Sequence, residues 1–358
     1  MFSSLKSRKF LHVCVVLGFF SVISLLMKRI KLRLFYGPNV VSLQYTSSRH
    51  SKESVNGQGK CNPKPTNYTR SLDDPHILSG HVDTNLTGKF AYGFVLHNKK
   101  GLLSKLSDIE RLALVAIRSI RRTGSSHDII LLHMGTYSSI FFRRTKQLDV
   151  RMIDVTNYAK LLAEKIGRCP HGATTNRKGC LKSGWSNFDS CWNRYIFWTL
   201  KEYSKIIYLD CDMLVMRNID HIFSYPALSA SLDVFYAMNS HPSVFNAGMM
   251  VLEPNMKDFN GLISYAAAHD IWKNEYGALN EYFARCWNLL PLTYNMPALF
   301  STDMLASKQR GAHVENVYII HFVGLSKPIG STLKGKPLPP HDYMNSAILN
   351  YWRELDSE

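Results

Sequence analysis

From about residue 90 onward the chain alternates short apolar runs with segments whose apolar positions recur at helical spacing. Residues 90–97 predict a first strand, since four to eight apolar residues rich in aromatic and β-branched types suit a buried strand. Over 106–122 the apolar positions Ile109, Leu112, Leu114, Val115, Ala116 and Ile120 define one helical face that stops before Gly124. Residues 127–133 and 149–155 predict two more strands, and 157–166 a short helix. Strand–helix–strand order of this kind points to a parallel sheet of the α/β class. The polar stretch 167–189 reads as a loop, either facing a ligand or an inert insertion. A helix follows over 190–203 with Trp192, Tyr195, Trp198 and Leu200 turned mostly inward. The apolar run 206–209 then predicts a central strand. Beyond it the pattern predicts strands at 233–238, 245–253 and 316–322, and helices at 256–269, 274–285 and 342–355. No internal repeat is present.

The first part of the chain has a different character. Lys6, Arg8 and Lys9 precede residues 10–27, which lack a formal charge. As a helix this segment would span about 27 Å, enough for a bilayer core. No small-x-small cleavage site follows it, so an uncleaved signal anchor is expected rather than a removed leader. Basic residues flank both ends, so the positive-inside rule leaves orientation open. The acceptor triplets Asn67-Tyr68-Thr69 and Asn85-Leu86-Thr87 favour a lumenal C-terminal part; a cytosol-facing anchored protein is the alternative. The expected organisation is a cytosolic tail (1–9), a transmembrane anchor (10–27), a Ser-, Asn-, Gly- and Pro-rich stem (28–88) and a folded domain (89–358). This describes a single-pass type II protein of the Golgi or endoplasmic reticulum membrane.

Charge and cysteine usage fit that scheme. The chain has a net charge of +16, and residues 1–60 hold ten Lys and Arg against one acidic residue. The remaining excess suits an anionic small substrate at least as well as nucleic acid. No zinc-finger, helix-turn-helix or stacking-platform signature accompanies it, so nucleic acid is not an expected partner. Seven cysteines are present, with Cys14 inside the apolar segment. The even remainder is compatible with disulfides in a secretory lumen, with Cys169 and Cys180 the best candidate pair.

The central strand runs into Asp210-Cys211-Asp212. Alternation along a strand would aim the two carboxylates the same way, and two such groups repel unless a cation lies between them. Mg²⁺ and Mn²⁺ take oxygen ligands and share them with substrate phosphates. Open α/β sheets bind ligands at the carboxyl ends of their strands, so a metal–phosphate site is expected here. Read alone, the pair is more simply explained as capping a following helix. Cys211 would face the opposite side as a small core residue. Farther along stand Phe245-Asn246-Ala247-Gly248 and His321-Phe322-Val323-Gly324 with Lys327-Pro328.

With these motifs in this order, residues from about 91 to 328 resemble glycosyltransferase family 8, the glycogenin-like retaining transferases of the GT-A fold. The resemblance implies a Rossmann-like domain with a mixed, mainly parallel sheet. It also implies transfer of a hexose or hexuronic acid from a UDP-sugar to a glycan, glycolipid or glycoprotein acceptor. Asp210, Asp212 and His321 would hold Mn²⁺ or Mg²⁺; Asp210, Gly324 and Lys327 would meet the diphosphate. Arg194, nine residues before Tyr203, would approach the nucleotide-sugar, and Asn246 and Gly248 would form the sugar-facing turn. On the acceptor side, relatives carry Asp-Gln-Gly where this chain has Glu275-Tyr276-Gly277, and often an aspartate at the position of Ser243. Glu275 keeps a carboxylate on a longer arm and, with Asn246, is the candidate catalytic group. These departures leave the donor sugar open and keep two alternatives: a lumenal binding or scaffold protein without turnover, and a self-glucosylating glycogen primer. A homodimer is left open.

Overall fold

The computed structural model describes residues 87–98, 104–166, 188–234, 244–268, 274–284, 286–298, 317–323, 327–329 and 346–358. The chain divides into two units, and every described residue belongs to the larger, which includes Leu78–Glu358. The expected tail and anchor, the stem up to residue 86, the acceptor asparagines Asn67 and Asn85, Cys169, Cys180, Ser243 and Gly324 lie outside the described residues. No helix among the described residues is long and apolar enough to cross a membrane.

Two sheets organise the unit. The larger has the order β3-β2-β1-β4-β7-β6-β8. Its strands are β1 (Phe90–Asn98), β2 (Asp128–Gly135), β3 (Val150–Asp154), β4 (Lys205–Leu209), β6 (Ser229–Leu232), β7 (Phe245–Leu252) and β8 (Asn288–Leu290). Strands β1 to β4 pair in parallel, β7 runs antiparallel to both β4 and β6, and β6 and β8 are parallel. The sheet is therefore mixed and mainly parallel, as expected. The smaller sheet joins β5 (Met213–Val215), β10 (Ile319–His321) and β9 (Met296–Pro297) in that order.

Burial on both faces explains why the strands read as continuous apolar runs. Phe90, Tyr92, Phe94, Ile129, Leu131, Ile207 and Leu209 pack with Ala113, Leu114, Ile117 and Ile120 of α1 (Asp108–Arg122). One residue out of phase, Ala91, Ile130, Leu132, Ile206 and Tyr208 pack on the other face. They meet there α3 (Thr156–Lys165), a 3₁₀ helix (Phe188–Thr199), α4 (Met256–Ala268) and α5 (Asn274–Tyr282). The small sheet packs through Leu214, Met296 and Ile320 against α1 and the closing helix α6 (Ser346–Ser357).

Three expectations are corrected. The helix expected over 190–203 is a 3₁₀ helix over Phe188–Thr199. Side chains three apart eclipse in that geometry, so Trp192, Tyr195 and Trp198 form one line, with ring centroids 5.5 and 6.3 Å apart. The strand expected at 233–238 is found instead at Ser229–Leu232; Asp233 and Val234 already lie past its end, and 235–238 are outside the described residues. A helix not expected at all, α2 (Ser139–Gln147), follows β2, with the Ser138 side chain accepting from the Phe141 N–H at 3.0 Å.

Candidate functional site

Strand β4 ends at Leu209, so Asp210-Cys211-Asp212 form the turn from the large sheet to β5 of the small one. Strand alternation is thus not what brings the two carboxylates together. Backbone pairing does it: Asp210 N–H donates to the Gly248 carbonyl at 2.8 Å, and the Asp212 carbonyl accepts from Phe322 N–H at 2.9 Å. One aspartate is tied to Gly248 within β7 and the other to the residue after His321. Cys211 behaves as expected, its thiol donating to the Val95 carbonyl at 3.3 Å, and burial pushes that thiol well up.

Asp210, Asp212 and His321 each offer a ligand atom, and these atoms lie within 4.8 Å of one another. The set of two carboxylates and an imidazole nitrogen fits Mn²⁺, which accepts both donor types. Space at the site supports the fit. A β-carbon on Gly248 would lie 2.9 Å from Asp210 Oδ2 and 2.7 Å from His321 Cε1. Only a residue without a side chain lets the two approach each other across β7.

Cations flank the carboxylates. Asp212 meets Lys327 Nζ at 2.9 Å and His321 Nε2 at 3.3 Å. Burial pushes its carboxyl up, but the charges and hydrogen bonds of His321 and Lys327 outweigh this and hold it well below the usual carboxylate range. The same pairing raises His321 and Lys327 against the opposing effect of burial. Asp210 accepts from the Tyr208 phenol at 2.5 Å and lies 3.6 Å from Arg194. Arg194, 7% exposed, donates to the Ala247 carbonyl at 2.9 Å and lies over the Tyr208 ring. Its position depends on Gly93 in β1, where a β-carbon would come within 2.6 Å of Phe197 on the same 3₁₀ helix. Two carboxylates against two permanent cations leave the cluster formally neutral, so a bound divalent ion needs an anionic ligand to balance it. A diphosphate is such a ligand.

The segment expected as the sugar-facing turn, Asn246–Gly248, lies within β7 and is ordered around Asn246. Its Oδ1 accepts from Gly248 N–H at 3.0 Å and its Nδ2 donates to Asp233 Oδ2 at 3.0 Å. The Tyr276 phenol donates to the same Asp233 oxygen at 2.6 Å. Asp233 and Asn295 are therefore part of the arrangement, although neither stands out in the sequence. Asn295 Nδ2 donates to Asn246 Oδ1 at 3.0 Å, while its Oδ1 faces His321 Nδ1 at 2.8 Å. Of the nine residues expected at the site, Arg194, Asp210, Asp212, Asn246, Gly248, His321 and Lys327 are brought together. Gly324 is outside the described residues, and of Glu275 only its backbone place in α5 is described.

The chain spans less than half the length of the two curated relatives that follow. It is 30% identical over 226 residues to Glycogenin-1 from Caenorhabditis elegans, covering 60% of this chain and 47% of that one. It is 24% identical over 299 residues to UDP-glucuronate:xylan alpha-glucuronosyltransferase 2 from Arabidopsis thaliana, covering 81% and 43%. The galactosyltransferase LgtC, solved with donor and acceptor sugar analogs, superposes with a TM-score of 0.51 at 15% identity, over 75% of this chain and 95% of that one. The bifunctional glycosyltransferase WbbM superposes with a TM-score of 0.54 at 14% identity, over 76% and 50%. These likenesses establish a GT-A-like fold. Residues 111–330 match the family described as Glycosyl transferase family 8. Because that match extends over more than half of the chain and takes in every residue of the cluster, the chain belongs to glycosyl transferase family 8.

Proposed function

We propose that this chain is a metal-dependent retaining glycosyltransferase that moves a hexose or hexuronic acid from a UDP-sugar to a glycan, glycolipid or glycoprotein acceptor. The observation that supports it most is the meeting of Asp210 and Asp212 with His321, from over a hundred residues farther along the chain, within 4.8 Å. A divalent ion held by these three residues supplies Lewis-acid stabilisation of the diphosphate leaving group. Lys327 adds a point charge beside Asp212, where a phosphate oxygen would be met. Arg194, anchored on the Ala247 carbonyl and 3.6 Å from Asp210, places a buried positive charge beside the carboxylate pair. Asn246 holds the sugar-facing turn in one orientation by accepting and donating at once.

A named relative acts on UDP-glucuronate and forms an alpha-linked product. Since UDP-sugars of this kind are themselves alpha-linked, the same stereochemical outcome here is retention. The expected N-terminal anchor and acceptor triplets give the reading its setting in the Golgi or endoplasmic reticulum membrane. The disulfide-bonded state of Cys286 agrees with an oxidising lumen.

The test is UDP release by the purified full chain from a panel of UDP-glucose, UDP-galactose, UDP-glucuronate and UDP-N-acetylglucosamine, with and without Mn²⁺. At least one donor should be turned over with Mn²⁺, and Asp212→Ala should abolish that turnover. A protein that neither binds UDP with Mn²⁺ nor releases it from any donor would overturn the proposal.

A further inference from the structure

The hydrogen bonds from the sugar-facing turn to His321 run in one direction, and a fixed donor sets that direction. A backbone N–H can only donate, so the Asn246 atom facing Gly248 N–H at 3.0 Å must be its oxygen. The other end of that amide faces an Asp233 oxygen at 3.0 Å, and a carboxylate only accepts, so both contacts require the same orientation. Asn246 Oδ1 then needs a donor from Asn295, which turns the Asn295 amide so that Nδ2 faces Asn246 at 3.0 Å. The opposite end of Asn295 is consequently an acceptor, and it lies 2.8 Å from His321 Nδ1. Nδ1 must therefore carry a proton. In the neutral ring the lone pair is left on Nε2, the nitrogen that faces Asp212.

Asn295 is well placed for this task. It is 3% exposed, and its own N–H is held by the Leu292 carbonyl at 2.9 Å. It immediately precedes β9, whose register sets Pro297 opposite His321. The amide and the imidazole thus ride on neighbouring strands of one small sheet, and neither can shift far without the other.

We infer that Asn295 is a positioning residue, which transmits the polarity of the Asn246–Gly248 turn to His321 and fixes Nε2 as its ligating nitrogen. The inference rests on the metal-site reading of Asp210, Asp212 and His321. It adds that the sugar-facing turn and the metal ligand are oriented as one unit, by a residue that touches neither sugar nor metal. Outer partners of this kind change metal affinity by about 10- to 100-fold when removed.

The experiment is Mn²⁺ binding to the full chain, measured from the free-ion paramagnetic resonance signal, with thermal melting recorded for each variant. Asn295→Ala and Asn295→Leu should both weaken Mn²⁺ binding by about 10-fold or more; the leucine keeps the volume should the alanine variant fail to fold. Asn295→Asp still offers an oxygen to Nδ1–H but sets its second oxygen against Asn246 Oδ1, so it should recover part of the Mn²⁺ affinity lost in the alanine and leucine variants without reaching the wild type, a partial rescue that a packing role would not produce. Equal affinity in all four proteins, or an aspartate variant as weak as the alanine one, overturns the inference while leaving the metal site standing. A wild-type protein that binds no Mn²⁺ overturns the metal reading, and this inference with it.

Discussion

Gly248 and His321 are in closer contact than any other residue type at 248 would permit: a β-carbon there would lie 2.7 Å from the imidazole Cε1. The same atom would crowd Asn246 Oδ1 and Asp210 Oδ2, each at 2.9 Å. Three side chains of the site thus share the space that the missing one leaves. Gly248→Ala must push at least one of them away, and overpacking of this sort costs about 1–3 kcal/mol. The expected outcome is a folded protein with a modest loss in melting temperature and a loss of Mn²⁺ affinity of at least about 10-fold, the scale seen when ligand orientation is disturbed. Calorimetric titration beside a thermal melt checks it, and unchanged affinity would show that the site tolerates the methyl group.

The Tyr276 phenol donates to Asp233 Oδ2, the oxygen that also receives Asn246. Tyr276→Phe removes one donor from that oxygen while keeping the ring. Losing a hydrogen bond to a charged group is worth roughly 1.5–3 kcal/mol. Where Asp233 steadies Asn246, the variant raises the donor KM by about 10-fold, and UDP-release kinetics read this directly. A donor KM within about twofold of the wild type would assign the tyrosine to packing alone.

Much of the fold was legible because the parallel strands are buried on both faces and so appear as unbroken apolar runs, as in Ile129–Leu132 and Ile206–Leu209. Strand β6 was misplaced for the converse reason. Its sequence, Ser-Ala-Ser-Leu, buries two serines, whose hydroxyls donate to the carbonyls of Pro226 and Pro291. The stronger apolar signal just after it drew the prediction along the chain. Helix α2 escaped because only Phe141 and Thr145 are buried, too few positions to establish a helical period. At the site, Asp210, Asp212, Asn246, Gly248, His321 and Lys327 stand in short motifs that are visible in the sequence. Asn295 and Asp233 do not, because their roles arise from tertiary placement: from the register of β9 on β10, and from the position of Asp233 where it receives both Asn246 and Tyr276.

Glu110 is buried in the first turn of α1, where its carboxylate accepts three hydrogen bonds. These come from Ser107 N–H at 2.6 Å, the Ser107 hydroxyl at 2.7 Å and Ser138 N–H at 2.6 Å. The segments leaving β1 and β2 are thereby pinned to one side chain. Glu110→Ala leaves one buried backbone donor, Ser138 N–H, and one half-buried one, Ser107 N–H, without the carboxylate, and an unsatisfied buried donor costs about 1–3 kcal/mol. A loss near 3 kcal/mol in urea unfolding is expected, with Glu110→Gln intermediate because its amide can accept on only one oxygen. A loss below about 1 kcal/mol for the alanine variant would mean that water replaces the carboxylate.

The acid limb of stability should depend on Asp220. Its carboxylate accepts from the Tyr92 phenol at 2.6 Å, from Ser125 at 2.7 Å and from the Asn218 amide at 3.1 Å. Burial pushes this carboxyl up, but the three donors outweigh it and hold it below its ordinary value. Burial and the Asp220 charge together raise the Tyr92 phenol far above its ordinary range, so it stays a donor throughout. A carboxyl depressed by folding contributes stability that is fully present above its unfolded value of about 3.9 and is lost as pH falls through the folded one. Asp220→Asn removes that dependence, because an amide does not titrate in this range. The variant should be less stable at pH 7 by about 1–2 kcal/mol, and the gap to the wild type should close as pH drops below about 4. Urea unfolding at pH 7 and at a series of acid pH values measures the gap, and a constant difference across the series would show that Asp220 keeps the same proton affinity in the folded and unfolded chains.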